Sequence, residues 1–217
     1  MSSLVEELQR DVLDSKISAS DLLRKSLVIA TKLNLGEFRT WVEQELSGYA
    51  DTKQIPEYRR IVGRIMAFNP MRGYIPAVIP DAKLVELLST RNEIAPVGVL
   101  ESLLSSGETS FACDFAPDIL LTLLRMQRFP MVPQVLIPRT SFAGILDAVR
   151  NAVLTWSLKL ETDGIVGEGM SFSPKEKKLA SEKAADLQPV VNYIMIEHME
   201  NSSIQQGTRQ SRQRRTR

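Results

Sequence analysis

The chain has 217 residues, enough for one domain of ordinary size with some chain left over, and its 43% hydrophobic and 24% charged composition is that of a globular protein. With 27 Lys and Arg against 26 Asp and Glu, the net charge of +1 lacks the large basic excess usual in dedicated nucleic-acid or membrane-surface proteins. One cysteine, Cys113, excludes an internal disulfide framework and a Cys-based zinc site, one histidine, His198, excludes chemistry that needs two, and no apolar run reaches membrane-spanning length.

Ser3 and Glu6 have capping-box spacing, and Leu4, Val5, Leu8 and Val12 share a helical face, which predicts a first helix over residues 3–14. A second start at Ser18 to Asp21 leads into Leu22, Leu23, Leu27, Ile29 and Leu33 at helical spacing. A third helix over 36–48 carries Phe38, Val42 and Leu46 with Trp41 beside them, and Gly48 ends it. The period then drops to 2. Between Tyr58 and Phe68, the residues Ile61, Ile65 and Ala67 alternate with Arg60, Val62, Arg64 and Met66, as expected of one strand with a partly solvated face. Asn69 to Gly73 reads as a turn and Tyr74 to Ile79 as the returning strand, which Pro76 confines to a sheet edge.

Two short helices are expected over 81–90 and 96–105, then a strand from Thr109 to Phe115 with Phe111, Cys113 and Phe115 on one side. A Leu-rich helix over 116–128 and a strand from Val132 to Ile137 follow. The longest periodic segment is 140–162, where Phe142, Ile145, Leu146, Val149, Val153, Trp156 and Leu160 keep one face apolar, so the sheet should pack on this helix. Ser173, Pro174 and Glu176 start a final helix, expected to run over 174–199 with a break or bend near Pro189. The fold class expected is α+β: an N-terminal three-helix unit, a small mixed or antiparallel sheet on a long amphipathic helix, and a C-terminal helix.

The charge balance conceals an asymmetry. Residues 209–217 contain Arg209, Arg212, Arg214, Arg215 and Arg217 and no acid, which leaves 22 bases against 26 acids in the remainder, an acidic body of charge −4. With few apolar groups to offset the entropy of ordering, residues 201–217 are expected to be a disordered tail.

Six ordered stretches stand out along the chain: Leu4 to Arg10 with Asp21 to Lys25, Glu37 to Tyr49, Pro56 to Arg60, Phe68 to Pro70 with Gly73 to Pro76, Gly144 to Asn151, and Gly164 to Ser173. Together they resemble the AbiTii domain of bacterial abortive-infection systems. The resemblance implies an AbiTii-like domain over 1–173, followed by a helical extension over 174–200 and the tail over 201–217. It implies an antiphage setting and no catalytic residues. Longer relatives would continue into another domain where this chain has a helix and an Arg-rich tail, so a stand-alone sensor or adaptor is expected in preference to a self-contained effector.

The candidate sites are few. Gly164, Gly167 and Gly169 sit before a helix start and lack the Gly-Lys-Ser/Thr of a phosphate loop, so they read as a structural turn, with a ligand-contacting loop as the alternative. His198, beside Glu197 and Glu200, reads as a surface residue, and Cys113 as a buried structural thiol without a base. Asp147 and Arg150, and the acids Glu6, Glu7, Glu43 and Glu45, read as surface or partly buried ion-pair formers, with a paired-carboxylate active site as the alternative. Arg59, Arg60, Arg64 and Arg72 would form a compact positive patch if the first two strands make a hairpin, either solvated or facing an anionic ligand or partner. The tail arginines could hold phosphate backbones.

These observations predict a non-enzymatic sensor or adaptor that docks the effector protein of the same defence system, acts in the cytoplasm, needs no cofactor or metal and does not engage membranes. Self-association fits the same reading. The alternative is a nucleic-acid-binding protein using the tail and the hairpin patch, and an enzymatic role ranks third for want of clustered acids with histidine or lysine.

Overall fold

The structure is a computed structural model that describes residues 3–50, 54–126, 131–189 and 193–195. Three helices come first, α1 (Leu4–Leu13), α2 (Ala19–Leu33) and α3 (Gly36–Ser47). They are followed by β1 (Gln54–Pro56), a 3₁₀ turn (Glu57–Arg59), β2 (Arg60–Val62), β3 (Arg64–Asn69) and β4 (Gly73–Pro76). Next are α4 (Ala82–Ser89), β5 (Thr90–Asn92), α5 (Val97–Ser105), β6 (Ser110–Asp114), α6 (Pro117–Met126) and β7 (Pro133–Pro138). The long helix α7 (Arg139–Thr162), α8 (Pro174–Glu182) and β8 (Tyr193–Met195) complete an α+β fold.

The helices begin where their side chains can satisfy free backbone donors. Ser3 Oγ accepts from the Glu6 N–H at 3.1 Å and the Glu6 carboxylate accepts from the Ser3 N–H, the reciprocal box expected from the sequence. Behind these caps, Val5, Leu8, Leu22, Leu23, Ile29, Phe38, Trp41 and Val42 turn inward and form one core with Val149, Val153, Trp156 and Leu160 of α7. The Phe38 and Trp156 rings stack there with centroids 3.7 Å apart and planes 9° from parallel. Each such large side chain contributes about 1.5–3 kcal/mol by leaving water. Ala180 and Leu187, from beyond residue 173, belong to the same core.

The other end of α7 carries the sheet. Phe142 and Ile145 pack with Ile61, Ile65, Val135, Ile137 and Leu100, with Val85 and Leu88 of α4 and Leu103 and Leu104 of α5 at the margin. The sheet order is β4, β3, β7, β6, all antiparallel, so β4 with its Pro76 is an edge as expected. The single helix α7 therefore spans two packing environments: its first turns lie against strands and its later turns against helices.

Two expectations need correction. The strand expected from Tyr58 to Phe68 is divided at Gly63, because β2 pairs with β5 in a separate two-stranded ladder while β3 joins the four-stranded sheet. At Gly63 the backbone lies so close to β7 that a Cβ would stand 2.4 Å from Val135 Cγ1 and 2.9 Å from the Leu136 carbonyl oxygen. Side-chain alternation nevertheless continues through the break, with Ile61, Ile65 and Ala67 buried and Arg60, Val62, Arg64 and Phe68 exposed. The final helix, expected over 174–199, ends at Glu182, and Tyr193–Met195 pairs antiparallel with β1. The Leu-rich helix and its following strand stand where expected, apart from 127–130, which lie outside the described residues.

Candidate functional site

One face of the four-stranded sheet is covered by α4, α5 and α7, α6 lies against β7 with Leu123 buried outside that core, and the opposite face is open at its β3–β4 end. Period-2 geometry decides which side chains stand on the open face: Arg64, Met66 and Phe68 from β3, Tyr74 and Pro76 from β4, Gln134 and Leu136 from β7, and Ala112 and Asp114 from β6. Phe68 and Tyr74 are direct cross-strand partners with an edge-to-face ring contact at 5.4 Å and 71°. The Tyr74 hydroxyl donates to Gln134 Oε1 at 2.9 Å, and Gln134 Nε2 donates to Asp114 Oδ1 at 2.7 Å, a polar line running from edge to edge.

The β3–β4 connection extends this face. Asn69 Oδ1 accepts from the Met71 N–H and its carbonyl from the Arg72 N–H, closing a turn that leaves Met71 91% exposed and Arg72 exposed beside it. The hairpin expected from the sequence is therefore present, with Arg64 on the open face and Arg72 at its turn, while Arg60 continues the same stripe on β2. None of the three is in an ion pair with a described residue.

Arg59 has to be removed from this patch. It lies on the inward side of the 3₁₀ turn, fully buried, with Nε and Nη2 donating to the two Glu45 carboxylate oxygens at 3.0 and 2.6 Å and Nη1 donating to the Glu93 and Ala95 carbonyls. Glu45, also fully buried, further accepts from the Tyr49 and Tyr58 hydroxyls, and Trp41 Nε1 donates to Tyr58. The Arg59 guanidinium carbon lies 4.8 Å from the Tyr49 ring centre. Burial, and then the nearby Glu45 charge, push both phenols far above their ordinary value, so both stay neutral while donating to Glu45. Burial opposes the Arg59 charge, yet the Glu45 pair outweighs it and raises its pKa. This group ties α3 to the strand region.

The glycine loop is likewise occupied from within. Gly164, Gly167 and Gly169 all have positive φ, which fits the turn reading. The Val166 and Gly167 N–H groups donate to Glu176 Oε1 at 3.1 and 2.7 Å, and the Ser173 N–H donates to Oε2 at 2.7 Å. A carboxylate of the chain thus stands where an anionic ligand would. Burial works to raise the Glu176 carboxyl, but the hydrogen bonds from Gly167, Ser173 and Val166 prevail and hold it below its ordinary value.

Cys113 points inward with Phe111 and Phe115, but all three are half-buried, and burial pushes the thiol up, so little thiolate forms at neutral pH. Asp147 does not pair with Arg150: Asp147 accepts from Asn151, and Arg150 donates to the Val12, Asp14 and Ile17 carbonyls, tying α7 to the turn after α1. Glu43 pairs with Arg39 and Glu7 with Lys25 at the surface. Among the described residues no group of His, Cys, Asp and Glu is arranged to hold a metal, and no helix is long and apolar enough to cross a membrane. His198 and the tail arginines Arg209, Arg212, Arg214, Arg215 and Arg217 lie outside the described residues.

The sequence reading missed Phe68, Met71 and Tyr74 as surface features. The available signal was phase: Phe68 falls on the same alternating stripe as Arg60 and Arg64, an aromatic among charged, solvated positions.

Fold and site together define an α+β domain with a closed helical core and a sheet left uncovered at the β3–β4 end of its outer face. The sequence profile of the AbiTii family matches residues 3–185, and the chain belongs to that family, whose setting is abortive-infection defence of bacteria against phage. No curated protein and no solved structure matches the chain.

Proposed function

We propose that this chain is a recognition component, a sensor or adaptor with no active site of its own, that acts in the bacterial cytoplasm and controls a separate effector protein. One observation carries the reading: the outer face of the four-stranded sheet leaves Phe68, Tyr74 and Met71 to solvent beside Arg64 and Arg72, although a folded chain gains by covering apolar surface. The buried ion pair and the glycine loop support it, since their polar groups are consumed by internal bonds. Tagged full-length chain is expected to retain the product of a neighbouring gene through co-purification. Turnover of a substrate by the isolated chain would overturn the reading.

A further inference from the structure

We infer that the open sheet face binds a single strand of nucleic acid, its bases stacking on Phe68 and Tyr74 and its phosphates meeting Arg60, Arg64 and Arg72. The inference rests on the recognition reading above and names what is recognised.

The outward stripe of β2 and β3 reads Arg60, Val62, Arg64, Met66, Phe68, and the burial alternation carries it unbroken across Gly63. At about 3.3 Å per residue this stripe is roughly 27 Å long. Cations occupy one end, the aromatic pair Phe68 and Tyr74 the other, and Arg72 and the exposed Met71 extend past the pair at the turn. An acidic peptide would be served by the arginines alone and an apolar partner by the rings alone. A polynucleotide presents both kinds of group along one strand, anionic phosphates and flat bases, and a platform of aromatics within a positive groove is how sheets hold such strands without reading sequence.

The three arginines are unneutralised by any described acid, whereas Asp114, the carboxylate that the described strands place on this face, sits on the far edge strand and accepts from Gln134. Duplex is disfavoured because its bases are already stacked on one another and offer no face to the rings. Stacking and phosphate contact do not depend on the sugar, so DNA and RNA strands are expected to bind alike. The five arginines within 209–217 would add sequence-independent attraction to the same ligand.

The test is fluorescence anisotropy of the full chain with labelled oligothymidine and oligouridine of about 12 nucleotides, within the span that such modules occupy. Both strands should saturate, and their duplex with the complementary strand should bind at least about tenfold more weakly. Phe68→Ala with Tyr74→Ala should weaken single-strand binding by about tenfold or more. Arg64→Gln with Arg72→Gln, changes at exposed positions that leave packing alone, should lower the slope of log affinity against log salt by about 0.7 for each phosphate that is no longer neutralised. A variant with the five tail arginines changed to Gln should bind more weakly yet keep its dependence on the two rings.

No saturable binding by the full chain, or binding that neither sheet variant alters, would overturn the inference. If the effector still co-purifies with a chain that binds no strand, the recognition reading stands and this inference falls. If Phe68→Ala with Tyr74→Ala releases a co-purified protein from such a chain, the face docks protein and the inference falls as well.

Discussion

The two ends of α7 lie in contrasting regions. Among the described residues, its later turns join a helical core of 24 buried apolar residues, whereas its first turns join a sheet core of seven, the rest of that region being only partly covered. In the helical region apolar stripes meet from several directions, and surface charges close on neighbours, as Lys25 does with Asp11 and Lys183 with Asp163. In the sheet region the β3–β4 end of the outer face is left uncovered, and its arginines have no described acid to meet. Helices present one stripe each and can be wrapped completely, but a sheet has two faces and needs a second layer to close. The region left without that layer is the one available for recognition.

The sharpest way to break the contrast is at the joint between the regions. Arg59→Leu strands the Glu45 carboxylate in a dry site and should cost about 3–5 kcal/mol in urea unfolding. Replacing both partners with apolar residues should recover a good part of that loss, since no orphan charge then remains. Gly63→Val forces a branched side chain against Val135 and Leu136 and should cost about 1–3 kcal/mol or more in the same measurement.

A smaller effect concerns the closed side. Because the Glu176 carboxyl is held below its ordinary value of 4.5 when folded, its contribution is complete above that value and disappears as pH falls through the lowered folded value. Glu176→Gln should therefore destabilise the chain by about 1 kcal/mol at neutral pH. The gap to the parent should narrow in melts taken at increasingly acid pH. The smallest effect is expected on the open face, where Met71→Ser, at a position 91% exposed, should change stability by about 0.5 kcal/mol or less. A destabilisation of several kcal/mol there would mean that the face is packed and would end the comparison.

Local periodicity made most elements legible. The caps at Ser3 and Ser173, the hairpin at Asn69 to Gly73 and the long helix all depend on residues a few positions apart, so spacing alone revealed them. Arg59 was misplaced because one residue of phase separates it from Arg60, and the 3₁₀ turn at Glu57–Arg59, which reverses its direction, leaves no periodic mark. The last helix was overextended for a related reason. Tyr193–Met195 gains its strand partners from Gln54–Pro56, about 140 residues earlier, and no local pattern carries a pairing across that separation.

The sequence alone determined the α+β class, the inward faces of the helices, the edge character of β4 and the AbiTii kinship, because each rests on local spacing or on an ordered series of short segments. Tertiary structure decided that Glu45 claims Arg59, that Glu176 fills the glycine loop and that Phe68 and Tyr74 stand uncovered. Those outcomes depend on which distant surfaces meet, since a charge or a ring becomes buried or exposed only when a remote element arrives to cover it or leaves it bare.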